Sequence, residues 1–174
     1  ARLVAKVIEA RHDGKDVVVV VSAMGRKPAP YATDTLLDLV GSVCQAAPPR
    51  ERDAIAACGE IISTVVVASA LEAAGCPAVS LTGAQAGIST DGNYTDARIT
   101  KIEPRRILEV LSDGKVAVVA GFQGVTETGD VTTLGRGGSD TTAAALGATL
   151  GAEIVEIYTD VEGVMTADPR VVPE

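Results

Sequence analysis

Aromatic side chains are nearly missing from this 174-residue chain: there is no Trp, one Phe and three Tyr, 2% in all. Hydrophobic residues still make up 47%. A core is therefore feasible, and it must be filled by Val, Ile, Leu and Ala, the makeup of buried parallel sheets. Positive charge is short as well. The net charge is −8 and no basic run is present, which argues against nucleic acid or an anionic membrane as a partner. Any nucleotide must be held by local groups. The single histidine, His12, stands beside a turn-like Asp13-Gly14 and reads as a solvated loop residue; His-based zinc sites of the usual kind need more than one. Cys44, Cys58 and Cys76 are an odd set without CxxC spacing, so buried reduced thiols are expected rather than a disulfide framework. No signal peptide is visible and no apolar run looks long enough to span a bilayer, so a cytoplasmic soluble domain is expected. Neither GxxxxGK[ST] nor GxGxxG occurs, which leaves Walker-type and Rossmann sites unsupported.

What is present centres on Leu134-Gly135-Arg136-Gly137-Gly138-Ser139-Asp140-Thr141-Thr142, a glycine-rich loop that opens onto the alanine-rich run from Ala143 to Ala148. Glycines let a backbone approach a ligand closely. A helix start adds unpaired N–H groups and a positive dipole end, and together these seat anions such as phosphate or carboxylate. Arg136 can hold a carboxylate through two parallel hydrogen bonds. Asp140 brings in a negative charge that an anion binder does not need. It either organises cations around a reacting group or, like Ser139, merely caps the helix.

The rest of the chain alternates helix and strand signals. Residues 1–11 show helical spacing of Leu3, Val4, Val7 and Ile8, and the abrupt start suggests an earlier true beginning. Residues 17–21 are five valines, a strand expected to be buried on both faces, and Ser22 follows at its C-terminal end. Thr33-Asp34 begins a helix, with Thr33 either its N-cap or facing a ligand crevice. Residues 50–74 read as a long apolar helical stretch interrupted at Gly59-Glu60. Glu60 is either exposed at that kink or a buried acid meeting a ligand amine. Strands are expected at 78–81, briefly at 87–89, at 97–102 and at 116–120. A helix should run from Pro104 through Leu111, and Thr128-Gly129-Asp130 signals a hairpin. The alanine-rich helix should extend to about Leu150. A last strand is expected at 154–159, ending in Asp160, with a loop at 161–170. This order predicts an α/β fold: a mainly parallel central sheet between two helical layers, with right-handed crossovers. Three strand ends, after Val21, Ala120 and Tyr158, should lie along one edge, where open α/β sheets bind ligands.

Several segments together are specific. They are the run from Val19 to Gly25 with Thr33-Asp34, then Gly59-Glu60-Ile61-Ile62-Ser63, then Gly121-Phe122-Gln123-Gly124. Thr132 through Asp140 and Thr159 through Arg170 complete the set. In this order, and over nearly all of the chain, they resemble the catalytic domain of the aspartokinases, in the amino acid kinase family. The resemblance implies the three-layer α/β/α fold of carbamate kinase-like proteins. It implies transfer of the γ-phosphate of ATP, with Mg²⁺, to the side-chain carboxylate of L-aspartate, giving 4-phospho-L-aspartate, the first step towards lysine, threonine and methionine. By the same resemblance Arg136 grips a substrate carboxylate with Ser139 assisting beside Gly137 and Gly138. Glu60 meets the amino group, and Thr33 lies against the substrate. Asp140 serves catalysis by organising lysines. Ser22, Thr159, Asp160, Met165 and Arg170 approach ATP. The family often has Tyr where this chain has Met165, which trades stacking for thioether packing.

The family's Lys-Phe/Tyr-Gly-Gly strand would precede residue 1. A second functional lysine and the regulatory ACT domains would follow residue 174. A domain incomplete at both ends, inactive by itself, is therefore expected over 1–174, as are homo-oligomers or association with ACT domains. The chemistry is consistent: a side-chain carboxylate, with a pKa near ~3.9, is ionised at neutral pH and needs no general base. Phosphorylation of glutamate, acetylglutamate, carbamate or a nucleoside monophosphate on the same fold is the rival enzymatic reading. A nucleotide or amino-acid sensor without catalysis is the rival from another class.

Overall fold

The computed structural model describes residues 2–158. Helix α1 (Arg2–His12) leads to strand β1 (Val18–Val21), then α2 (Thr33–Val43), α3 (Pro49–Ala56) and α4 (Cys58–Ala73). Strands β2 (Ala78–Leu81), β3 (Ile88–Thr90) and β4 (Ile99–Ile102) precede α5 (Arg105–Ser112). Then come β5 (Val116–Ala120), β6 (Gln123–Val125), β7 (Val131–Thr133) and α6 (Gly138–Leu150).

The centre is a three-stranded parallel sheet in the order β1-β5-β2. All five residues of β5 are fully buried, because strands flank it on both sides and helices cover both faces. Side-chain alternation sorts the layers. Val116 and Val118 of β5, with Val19 and Val21 of β1, face α1 and α4 through Val7, Ala68 and Leu71. Ala117 and Val119 face α5 and α6 through Ile107, Val110 and Leu146. The expected α/β sandwich is thus formed. In β1, Val19 and Val21 are buried while Val18 and Val20 are half-buried, since β1 lies at an edge of this sheet.

A second, four-stranded sheet was not foreseen. Its order is β4-β3-β6-β7, with β3–β4 and β6–β7 antiparallel and β3–β6 parallel. The hairpin signal at Thr128-Gly129-Asp130 is its β6–β7 turn. The strands expected at 87–89 and 97–102 form as β3 and β4, but at three or four residues each the strands are too short for a period-two pattern to show how they group.

Other expectations change. The helical stretch breaks at Ala57, not at Gly59-Glu60, which lie in the first turn of α4. Taken as one stretch, Pro49–Ala73 is 25 residues with a window of mean hydropathy 2.0, long and apolar enough by composition to cross a bilayer. Here it is a core helix pair: Asp53 and Glu60 are both buried in polar contacts, and Leu71 is sealed against the sheet. The strand expected at 154–159 is absent over 154–158, where Ile154, Val155, Ile157 and Tyr158 are exposed and no ladder bond forms. Apolar residues alone do not make a strand without a neighbour to pair with. Of the cysteines only Cys76 is buried; Cys44 is exposed, and all three are free. His12 ends α1 rather than lying in a loop.

Leu71 packs against Val7, Val19, Val21, Val116 and Val118 with no exposure. Leu71→Ala should lower stability by about 2–5 kcal/mol through lost burial and the cavity left behind. Urea unfolding monitored by circular dichroism checks this.

Candidate active site

The ends of β1 and β5 open on one side, as the parallel sheet requires, and α6 and α4 begin there. Between them lies a cavity of about 310 Å³. It is lined by Ser22, Ala23, Thr33, Glu60, Phe122 and the loop from Gly135 to Asp140. Of the residues singled out by sequence, Ser22, Thr33, Glu60, Arg136, Gly137, Gly138, Ser139 and Asp140 therefore share one cavity. Thr159, Asp160, Met165 and Arg170, and with them the third strand end, lie outside the described residues.

Each element places its side chain for a local reason. Thr33 is the first residue of α2; the N-cap is Ala32, and no side chain caps that helix. The expectation of Thr33 as a cap fails, and its hydroxyl is left to the cavity. At α6 the residue before the helix is Gly137, at φ 72°, again with no side-chain cap. Ser139 and Asp140 are therefore not capping groups. Arg136 is exposed and has no hydrogen bond or ion pair with any described residue.

Gly121, the first residue after β5, is held against Ser139. A Cβ there would stand 2.7 Å from Ser139 Oγ and 2.9 Å from its Cα, so no larger residue fits without moving the start of α6. Phe122 then adopts φ 66°, a left-handed conformation seldom taken by a bulky side chain. Its N–H donates to Thr142 Oγ1 at 3.2 Å and its carbonyl accepts from Leu134 N at 2.9 Å, which fastens the turn to α6 and to the loop. Gln123, buried, donates from Nε2 to the Ala57 carbonyl at 2.9 Å, at the break between α3 and α4. The reading from sequence placed Gly135 in the anion-seating loop but gave the Phe122 and Ala23 positions no role of their own at the cavity; the available signal was that each follows a buried strand, in the runs Ser22-to-Gly25 and Gly121-to-Gly124.

Glu60 decides the electrostatics. It is 4% exposed, so the alternative of an exposed acid at a kink is excluded. Its Oε1 accepts the Ala23 N–H at 2.9 Å, while Oε2 is buried with no partner. Burial pushes its pKa up to about 7, against the opposing hydrogen bond from Ala23. A buried carboxylate oxygen without a donor is costly. Here the side chain that carries it lines the cavity, where a ligand could supply the donor.

Among the described residues no group of three or more His, Cys, Asp or Glu side chains is placed to hold a metal ion. Among the described residues that line the cavity, Asp140 and Glu60 are the carboxylates. Such a pair could hold a divalent cation only together with oxygens of a ligand, since Mg²⁺ commonly binds through one or two carboxylates plus phosphates. A second, larger concavity of about 590 Å³ lies on the outer side of α5. Its Arg105 and Glu109 are paired with each other, so it lacks unspent polar groups of the kind gathered around Glu60.

The sequence model of the amino acid kinase family matches residues 1–174. The chain belongs to the amino acid kinase family. Within it, the chain is 58% identical over 164 residues to aspartokinase 1 of Bacillus subtilis, covering 94% of this chain and 41% of that protein. To the aspartokinase of Mycobacterium tuberculosis H37Rv it is 52% identical over 172 residues, 98% of this chain and 40% of that one. The chain thus spans about two fifths of the length of these relatives. The crystal structure of the Synechocystis aspartate kinase superposes with a TM-score of 0.74 at 42% identity, covering 98% of this chain and 27% of that one. Escherichia coli aspartokinase III in complex with aspartate and ADP gives 0.69 at 31% identity, covering 80% and 32%. The likeness read from the motifs to this family, and within it to aspartokinases, is borne out.

Burial of Glu60 has a consequence for the ligand-free protein. Its folded pKa, about 7, stands above the ordinary 4.5, so the folded chain holds the proton more tightly than the unfolded one. This contribution to stability is full below the ordinary value and is lost as pH rises towards 7, by at most about 1.4 kcal/mol per pH unit. Thermal unfolding from pH 4.5 to 7.5 should show the decline, and Glu60→Gln should flatten it. Equal slopes in both proteins would assign the decline to other groups.

Proposed function

We propose that the protein containing this chain is an aspartate kinase, which transfers the γ-phosphoryl group of ATP to the side-chain carboxylate of L-aspartate. One observation supports the reading: Glu60, one of whose buried carboxylate oxygens has no partner among the described residues, and Arg136, whose guanidinium is unpaired among them, line the same cavity. The first calls for a cationic donor such as an ammonium group. The second calls for a carboxylate, which Arg can grip through two parallel hydrogen bonds. An α-amino acid carries both.

Aspartate then brings a second carboxylate, the acceptor. It is ionised at neutral pH and needs no base. The obstacle is charge, since an anion must approach a polyanion. The protein meets it by alignment and by oriented positive groups. The start of α6 points its free N–H groups and dipole at the anions. Ser139 supplies a hydroxyl beside Arg136. Asp140, exposed in the first turn of α6, orients cations rather than accepting a proton. Thr33 lies against the amino acid and Ser22 towards the nucleotide. The E. coli aspartokinase III complex with aspartate and ADP supports the ligand pair. Such an activity would stand at the head of lysine, threonine and methionine synthesis, in the cytoplasm, in an oligomer or alongside regulatory domains.

An ADP-release assay on the full-length protein across aspartate, glutamate, acetylglutamate, carbamate and nucleoside monophosphates should single out aspartate. Acetylglutamate, with its amine capped, offers Glu60 an amide N–H but no ammonium charge. Binding of both ligands without turnover would make the protein a sensor. Arg136→Ala should weaken aspartate binding by about 2–5 kcal/mol, or roughly thirty-fold and upwards in Kd, with little change for ATP. Unchanged aspartate saturation removes Arg136 from the site. Asp140→Ala should lower kcat far more than it raises the KM for ATP; normal turnover would leave Asp140 without a part in the chemistry.

A further inference from the structure

A second buried carboxylate stands one helix back from the cavity. Asp53, on α3, is 1% exposed and has no cationic partner among the described residues. Its charge is met instead by three donors from two other segments. Oδ2 accepts the backbone N–H of Thr95 and that of Thr133, each at 2.9 Å. Oδ1 accepts the Thr133 hydroxyl at 2.8 Å. Charge-assisted bonds of this kind are the strong ones, and a fully satisfied buried set is rigid.

Both segments lead to the Arg136 loop. Thr133 is the last residue of β7, and Leu134, Gly135 and Arg136 follow it. Thr95 sits at φ 72°, a left-handed conformation that Asp53 secures through its N–H. The next residue, Asp96, lies directly under Gly135: a Cβ on Gly135 would meet Asp96 Oδ1 at 2.7 Å. The Ala97 N–H closes the frame on the Thr133 carbonyl at 2.9 Å. The loop is therefore held from behind and from below by groups that share one carboxylate. That carboxylate belongs to the same α3–α4 pair that carries Glu60, and Gln123 braces the pair at Ala57.

We propose that Asp53 is a positioning residue that sets the separation between the amine-binding group, Glu60, and the carboxylate-binding group, Arg136. This rests on the reading of Arg136 and Glu60 given above. A merely structural Asp53 would stabilise the domain without discriminating between the two substrates.

The test uses the full-length protein and the steady-state kinetics of wild type, Asp53→Asn, Thr133→Val, Arg136→Ala and the double variant Asp53→Asn/Arg136→Ala. An asparagine keeps one oxygen for the two N–H groups but loses the charge that assists these bonds, and it turns an NH2 towards the Thr133 hydroxyl, which must then accept instead of donate. Thr133→Val removes one bond of the three and keeps the volume, so it serves if Asp53→Asn does not fold. Asp53→Asn should raise the KM for aspartate at least tenfold, with the KM for ATP within twofold of wild type. Thr133→Val should shift the same way by less. The double variant should be no worse for aspartate than Arg136→Ala alone, because Asp53 acts through Arg136. Equal changes in both KM values, or additive effects in the double variant, overturn the positioning role while leaving the kinase reading intact. Should Arg136→Ala leave aspartate saturation unchanged, or wild type fail to use aspartate, the underlying reading falls and the proposal with it.

Discussion

Where the backbone leaves β5 it passes so near Ser139 that only a glycine fits, and four parts of the chain are fastened there. Gly121 presses on the start of α6, and Phe122 bonds to Thr142 of α6 and to Leu134 of the loop. Gln123 reaches across to Ala57, between α3 and α4, and to the Gly83 N–H at 3.4 Å. A strand buried over its whole length is the most rigid part of such a fold. Anchoring the helix start, the loop and the Glu60 helix to its end lends that rigidity to the cavity. The cost is a bulky residue at positive φ, and strain of this kind concentrates at functional sites.

The two buried carboxylates make opposite use of the same physics. Asp53 is fully supplied with donors and holds segments together. Glu60 is half supplied, and burial raises its pKa to about 7. One carboxylate gives shape; the other holds an unmet demand that a ligand cation can satisfy. An amino acid that docks its ammonium group there gains from a deficit that already exists in the empty protein.

Much of this was legible in the chain itself. Five valines in a row, the buried run at 116–120 and the glycines after it marked the central sheet and the side on which ligands bind. The loop from Leu134 to Asp140 was readable because glycines, one cation and one anion before a helix have few bland explanations. Of the second sheet, the strands at 87–89 and 97–102 and the hairpin at Thr128-Gly129-Asp130 were readable, but their grouping into a separate sheet, including the parallel contact of β3 with β6, is decided by tertiary neighbours. The break at Ala57 was not readable either, where no Gly or Pro marks the change of direction. In the fold, the Ala57 carbonyl at that break accepts from Gln123 Nε2 as well as from the Ile61 N–H. The apolar run at 154–158 shows the converse: good strand residues form no strand where none of the described residues pairs with them.

The scarcity of aromatic residues has a practical side. The sole phenylalanine of this sequence, Phe122, stands on the cavity wall. Fluorinated phenylalanine incorporated into the 174-residue chain would give a single fluorine resonance, placed where ligands enter, with no substitution made to put it there. The composition that keeps the core aliphatic thus furnishes a built-in spectroscopic reporter at the one position where occupancy can be watched.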